Sequence, residues 1–312
     1  MRNKLRFIPS LFLLAVIFIL ILAGTVAAQE LIILHTNDIH GRINSNLEDG
    51  QLGMPLIASL VEQYRNNYDN VLVMDAGDTI HGRPITDRLQ GRSTVETMNI
   101  AGYDVMVPGN HDFNFGYQRL LELEDKMDFS LVAANVFKDG DLLFTPYVIK
   151  ETPDYKVGIF GLATPDTYST THPNNIEGIE FGDMVEAAQK YVAHLQEKEV
   201  DLIVALGHVG FGRNYPSTDI VKEVKGIDLF VDGHSHSRLS QGEWHHDTLF
   251  VQAHEYTNYL GQVIIDFQNG EPQLSASLIS AAEAQEKVSP QEEMETLLED
   301  FADEVRQIML GN

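Results

Sequence analysis

Eight side chains with metal-binding or acid–base chemistry stand just past short apolar runs in this sequence. Val105-Met106-Val107 stops at Pro108-Gly109 and then presents Asn110, His111 and Asp112. The run 31–34 leads toward Asn37, Asp38, Ile39, His40 and Gly41, and the run 71–74 into Asp75, Ala76, Gly77 and Asp78. The run 202–206 leads into Gly207 and His208, and the run 229–231 into Asp232, Gly233, His234, Ser235 and His236. A lone Asn-His-Asp is ordinary on a surface turn; the same arrangement five times over is not. Carboxylate and amide oxygens mixed with imidazole nitrogens, and no thiolates, suit Mn2+, Zn2+, Fe2+ or Co2+. Four such donors serve one ion. Seven or eight, drawn from Asp38, His40, Asp78, Asn110, His111, His208, His234 and His236, suggest two ions sharing a bridging ligand. Ions so paired, about 3.5–4 Å apart, acidify a water molecule, orient a phosphate and neutralise charge during in-line attack.

Something rigid has to bring these groups together. Glycine and proline after an apolar run stop regular structure, which puts the polar groups on tight turns at strand ends. Short runs that are apolar at every position suit strands buried on both faces, as in α/β domains. In open α/β sheets, ligands bind beyond the carboxyl ends of the strands, so the five turns are expected to meet at one rim. His234 and His236, two apart, would face opposite sides of a regular strand; on a glycine-flanked turn they can reach two ions instead. Residues 54–67, 93–101, 118–126 and 182–199 have helical character, and 129–136 and 157–164 read as further strands with 144–150 an edge strand between them. The stretch 164–178, rich in Thr, Pro and Asn, reads as a long loop, and 249–253 and 260–267 as strands of a second sheet. Ser289-Pro290 offers an N-cap and a first-turn proline for a helix running to about residue 310.

Asp-x-His, Gly-Asp, Gly-Asn-His-Asp, Gly-His and Gly-His-x-His, in this order, resemble the dinuclear calcineurin-like metallophosphoesterases. The fuller forms, Thr36-Asn37-Asp38-Ile39-His40-Gly41 and Gly109-Asn110-His111-Asp112-Phe113, are closer to the branch of 5′-nucleotidases and 2′,3′-cyclic-nucleotide phosphodiesterases. The resemblance spans residues 31–267 and implies an α/β fold, a four-layer α/β/β/α sandwich. It further implies that Asp38, His40 and His236 hold a first metal, that Asp78 bridges, and that Asn110, His208 and His234 complete a second. His111 is then spared as a ligand and faces the substrate, where it can stabilise the phosphoryl oxygens or protonate the leaving group. Asp112 is expected to support the turn.

There are departures from that pattern. Asn114 stands where the nucleotidase branch often has an aspartate paired with the catalytic histidine, and asparagine there is familiar in the cyclic-nucleotide branch. His254 occupies a place usually held by a small residue and is expected to be structural. His245 and His246 read as exposed loop residues, and Arg42 stands close enough to His40 to touch an incoming phosphate. Relatives of full length follow this domain with a linker helix and a second, nucleobase-stacking domain that 312 residues do not accommodate. The expectation is therefore activity without base selectivity.

Composition frames these expectations. Forty-six acidic residues against 21 basic ones give a formal charge of −25, which disfavours nucleic acid polymers and anionic membrane faces as partners. An anionic substrate needs bound cations to reverse that field locally. Arg2, Lys4 and Arg6 precede an uncharged stretch, 11–23, and Val26-Ala27-Ala28 offers small residues for cleavage. Residues 1–28 therefore read as a secretory signal peptide, 29–285 as the catalytic domain and 286–312 as a linker-like helix. With no cysteine, disulfides and cysteine lipidation are excluded. The sequence thus describes a secreted or extracytoplasmic hydrolase, a metal-dependent phosphoesterase of 5′-nucleotidase type acting on nucleotides. A cyclic-nucleotide phosphodiesterase and a non-catalytic metal- or phosphate-binding protein are the alternatives.

Overall fold

The computed structural model describes residues 30–212, 214–268 and 271–311; the expected signal segment lies outside the described residues. Its strands are β1 (Leu31–Thr36), β2 (Asn70–Asp75), β3 (Val105–Met106), β4 (Ser130–Leu131), β5 (Val136–Lys138), β6 (Asp141–Leu142), β7 (Tyr147–Glu151), β8 (Lys156–Ala163), β9 (Ile179–Phe181), β10 (Leu202–His208), β11 (Leu229–Val231), β12 (Glu243–His245), β13 (Thr248–Val251), β14 (Tyr259–Gln268) and β15 (Glu271–Ser280). The helices are α1 (Gly53–Asn67), α2 (Pro84–Asp87), α3 (Arg92–Ala101), α4 (Tyr117–Glu124), α5 (Thr167–Thr170), α6 (Met184–Glu197), α7 (Ser217–Glu223), α8 (Ala281–Lys287) and α9 (Glu292–Leu310).

Period-two alternation sorts the apolar runs into layers. Leu31 and Ile33 face one way, into a core shared with Val157, Ile159, Val204 and Leu206; Ile32 and Leu34 face the other, toward Leu56, Ile57 and Leu60 of α1. On the far side, Phe160, Ile203, Ala205 and Phe230 pack against Ala188 and Leu195 of α6. Three cores between four layers make the α/β/β/α sandwich. One sheet runs β15-β14-β1-β2-β3-β4 and the other β12-β13-β11-β10-β8-β7. The first has a parallel run, β1 to β4, with antiparallel β14 and β15 on one side; the second has a parallel centre, β8-β10-β11-β13, with antiparallel β7 and β12 at its margins. The parallel centres carry the donor turns, because parallel neighbours end on the same side.

Several local expectations are revised. Residues 129–136 form two short strands, β4 and the start of β5, rather than one. The stretch 164–178 is not featureless: α5 and a turn of 3-10 helix, Pro173–Ile176, lie in it. Strands β13 and β14 belong to different sheets, β14 pairing antiparallel with β1. The last helix starts at Glu292 rather than at Ser289-Pro290, because Gln291 N–H donates to the Pro55 carbonyl of α1 (3.1 Å) and fixes the entry there. That helix buries Met294, Leu298, Phe301 and Val305 in the core beneath α1 and α3. The boundary expected at 285/286 falls inside α8, whose Ser280–Glu283 capping box anchors its start.

Candidate metal centre

Five of the expected donors sit on left-handed backbone: φ is +51° at Asp38, +47° at His40, +58° at Asp78, +70° at His234 and +53° at His236. Such a conformation costs about 1–2 kcal/mol for most residues, so the turns have to be held from outside. The turn after β1 is laced to the turn after β2 by Asp38 N–H to the Gly77 carbonyl (2.8 Å), His40 N–H to Asp78 (2.8 Å) and Gly41 N–H to Thr79 (3.1 Å). Asp112 supports its turn as expected, its carboxylate accepting from the N–H groups of Asp78, Thr79, Ile80 and Gly109 at 2.8–3.0 Å. A Cβ on Gly109 would come within 2.3 Å of Asp78 Oδ1, and one on Gly233 within 2.7 Å of His208 Nδ1. At both places only glycine lets the backbone lie against a donor.

The donors fall into two groups, each with ligand atoms within 4.8 Å of one another: Asp38, His40 and His236, and Asp78, His208 and His234. Asp78 Oδ2 lies between them, 3.8 Å from His40 Nε2 and 3.2 Å from His208 Nε2. Asn110 joins the second group, its Oδ1 3.2 Å from His208 Nε2. The far nitrogens of three imidazoles are held by oxygens. His208 Nδ1 donates to the Ala76 carbonyl (2.6 Å), His234 Nε2 to Asp166 Oδ2 (3.1 Å), and His236 Nδ1 to the Glu255 carboxylate. Asp38 is fixed by the Asn37 amide (2.7 Å) and the His234 N–H (3.0 Å).

A family model described as calcineurin-like phosphoesterase matches residues 31–238, the stretch that contains both groups. The chain belongs to that family. Among curated relatives it is 36% identical over 251 residues to the snake venom 5′-nucleotidase of Gloydius brevicauda, covering 75% of this chain and 42% of the relative. It is 32% identical over 275 residues to the 5′-nucleotidase of Vibrio cholerae, covering 78% and 50%. The chain thus spans about half the length of the curated relatives it matches. The solved 5′-nucleotidase precursor of Thermus thermophilus superposes with a TM-score of 0.75 at 27% identity, over 90% of this chain and 60% of that one. Calcineurin-like phosphoesterases are metal-dependent hydrolases, and this one carries two candidate metal-binding groups.

The phosphoesterase keeps His111 apart from both groups. Its ring lies edge-on to His40, centroids 5.3 Å apart, and its Nδ1 is 2.9 Å from Asn114 Nδ2. The same Nδ2 is 3.3 Å from Nδ1 of His81, which stacks on His111 at an interplanar angle of 9°. An amide nitrogen only donates, so its two hydrogens hold both histidines with Nδ1 accepting and the proton on Nε2. Aspartate could not serve both rings in this way.

Burial and neighbouring charges compete at these donors. Burial works against a charge on His208, yet the Asp78 carboxylate beside it prevails and raises its pKa to about 10. Burial also opposes ionisation of Asp78, and His208 overcomes it, holding that carboxylate well below its usual range. For His40 burial wins over Asp78 and Asp38, and the pKa falls to about 4.

Sequence reasoning passed over His81, Asp166 and Glu255. Asp166 had a signal, since it lies just past the end of β8, a position like those of the other donors. His254 is structural as expected: its carbonyl accepts from Asn37 and its ring lies edge-on to Tyr259. His246 is exposed on a turn, but His245 belongs to β12 and packs edge-on against Phe211 and Phe250, contrary to its reading as a loop residue. Arg42 lies 3.3 Å over the Tyr256 ring.

Proposed function

We propose that this phosphoesterase hydrolyses nucleotide phosphate monoesters in the manner of a 5′-nucleotidase, with two divalent metals. The observation that carries the reading is Asp78 Oδ2, within reach of both His40 and His208. The donor set fits such cations, since oxygen and imidazole donors converge with outer nitrogens already committed to other partners. Asp38, His40 and His236 would hold one ion, Asn110, His208 and His234 the other, and Asp78 both. Bound there, the ions supply the charge that draws in a phosphate and acidify the water that attacks it.

The remaining work falls to this chain's own side chains. His111, with its proton on Nε2, is placed to donate a hydrogen bond to a phosphoryl oxygen and stabilise the charge that develops there; protonating the leaving oxygen would require the imidazolium, with Nδ1–H turned to the Asn114 amide oxygen. Asn114 fixes that tautomer and ring orientation. The basic start and uncharged stretch of residues 1–28 support a destination outside the cytoplasm, and the acidity of the chain supports small phosphate esters over nucleic acid polymers as partners.

The test is one panel. The full chain, reconstituted separately with Mn2+, Zn2+, Fe2+ and Co2+, is assayed on adenosine 5′-monophosphate, adenosine 2′,3′-cyclic phosphate, an aryl phosphate and an aryl phosphodiester. Turnover of the 5′-monophosphate above the others supports the proposal. Turnover led by the cyclic phosphate overturns it in favour of a phosphodiesterase, and binding without turnover in favour of a binding protein.

A further inference from the structure

The segments that support Asp38 and His236 also wall a cavity of about 330 Å³, formed by Leu47, Arg238, His254, Asn258, Tyr259 and the start of α8. None of the metal-site donors lines it. Its volume lies within the roughly 300–1,000 Å³ of small-molecule pockets. Arg238 Cζ stands 4.6 Å over the Tyr259 ring. Stacking holds a guanidinium by its face and leaves the N–H donors around its edge. Among the described residues the Arg238 side chain makes no ion pair or hydrogen bond, so those donors remain open. His254 Nδ1 is buried without a hydrogen-bond partner, and Nε2 is therefore the ring nitrogen that can reach a ligand. Leu47, exposed despite its size, and the alanines that begin α8 add an apolar side.

Short links tie this wall to the first donor group. The His254 carbonyl accepts from the same Asn37 amide nitrogen that donates to Asp38 Oδ2. Tyr256 N–H donates to the Asp38 carbonyl (2.9 Å), and Glu255, next to His254, holds His236 Nδ1. Arg238 follows His236 by two residues, and the His254 N–H donates to the Ser237 carbonyl between them (3.0 Å). The turn itself is bent, with φ of +66° at His254, +60° at Tyr256 and +57° at Thr257. Residues other than glycine keep such backbone only where their surroundings hold them. A ligand that grips Arg238, His254 and Asn258 spans this turn and resists its opening.

We propose that this cavity binds a small organic carboxylate, and that its occupancy tightens the first donor group around its metal. The coupling, though not the cavity, rests on the two-metal reading above. A planar carboxylate accepts two parallel N–H bonds from the edge of a guanidinium, and the apolar side takes the body of the ligand. Arg238 is the one Lys or Arg in the wall, which matches one negative charge. A dianionic phosphate would find no second such cation there, and the charge of −25 on the chain opposes it. Filling the cavity holds Glu255 against His236, and partners of this kind orient a metal-binding imidazole.

The probes are benzoate and phenylphosphonate, one singly and one doubly charged in mildly alkaline buffer. Calorimetry measures their binding to the full chain, without metal and with saturating Mn2+, and spin resonance of free Mn2+ gives the metal affinity with and without benzoate. Wild type should take one benzoate per chain. Arg238→Glu should weaken it at least roughly tenfold, as should Ala282→Trp, which fills the cavity from an exposed position of α8. The control Arg306→Ala should keep it, and melting curves check that each variant folds. Benzoate should tighten the Mn2+ that His236→Ala removes by about fivefold or more, and Mn2+ should tighten benzoate by the same factor, because coupling is reciprocal. No benzoate binding, or equal binding in Arg238→Glu, overturns the site. Tighter binding of phenylphosphonate than of benzoate in the metal-free chain overturns the choice of carboxylate. Benzoate binding with unchanged Mn2+ affinity overturns the coupling alone. A chain that takes benzoate but no metal upholds the site and ends the coupling together with the two-metal reading.

Discussion

The two donor groups use the same residue types at different depths. In one, the side chains of Asp78, His208 and His234 are 2%, 0% and 9% exposed; in the other, Asp38, His40 and His236 are 0%, 13% and 30% exposed. Their supports differ as well. The inner group leans on main chain and on the loop after β8, through Ala76 and Asp166, whereas the outer one leans on Glu255 and on Tyr256, which itself carries Arg42. A buried seat holds an ion away from competing water and exchanges it slowly. A half-open seat, if it takes an ion as proposed, would lose and regain it more readily. The lesson is that a near-symmetric set of ligands need not give two equivalent metals.

The sharpest way to break this contrast is to remove single donors. Asp78→Asn should lower occupancy of both ions, His208→Ala should mainly empty the inner seat and His236→Ala the outer, as read by elemental analysis of dialysed protein. Activity should fall by roughly a thousandfold or more in each, about 4 kcal/mol in the barrier. One ion per wild-type chain under metal-replete conditions would end the two-seat picture. A milder intervention leaves the ligands and loosens their partners. Asp166→Asn should weaken the inner ion, and Glu255→Gln the outer, by about 10–100-fold in competition with a metal-sensitive dye. If both changes weaken the same ion, the depth argument is wrong.

The turn that bears Asp78 has its own support in Asp75, whose carboxylate accepts from Thr79, Gly77 and Thr36. Burial raises the Asp75 pKa from 3.8 to about 7. The folded state therefore holds a proton there that the unfolded chain releases near pH 4. The stabilisation is complete below about pH 4 and is lost as pH rises through 7, with a slope approaching 1.4 kcal/mol per pH unit between them. Asp75→Asn should flatten the decline in melting temperature from pH 5 to pH 7, and an equally steep decline would show that Asp75 does not titrate in this way. The smallest effect belongs to Asn114. Asn114→Asp should move the limb for loss of the essential acid to higher pH, with a gain of a fewfold on an alkyl phosphate, about 0.5–1 kcal/mol, and less on an aryl phosphate. Equal changes on both substrates would leave Asn114 as scaffolding.

Much of this architecture was legible because its signals are local. An apolar run followed by glycine and a donor can be read from four or five neighbouring residues, and all five such runs end at the cluster. The convergence of the seven expected donors and the turn-building role of Asp112 were accessible for that reason, whereas the His111–Asn114 contact came from the family resemblance. What was not legible depends on pairing across the chain. Nothing near residue 260 says that β14 joins β1 rather than β13, since an antiparallel partner is chosen by tertiary packing. The start of α9 is set by a carbonyl 236 positions earlier, at Pro55, so the local cap at Ser289 was overruled. Glu255 stayed hidden because the histidine it holds is 19 residues away and the contact is made by side chains alone. The fate of His245 turned on Phe211 and Phe250, which only the folded sheet brings to it.

The left-handed turns carry a consequence for how this protein can change over time. Each of the five bent donors keeps a conformation that glycine would adopt freely, so chemistry and heat resistance pull on the same positions in opposite directions. A copy released from its catalytic duty could trade His40 or His236 for glycine and relieve that strain, about 1–2 kcal/mol at each position. Its descendants would melt later and do nothing. An active chain that resists this drift reports continuing selection for turnover, and a thermostability screen run without an activity gate would be expected to discard these residues first.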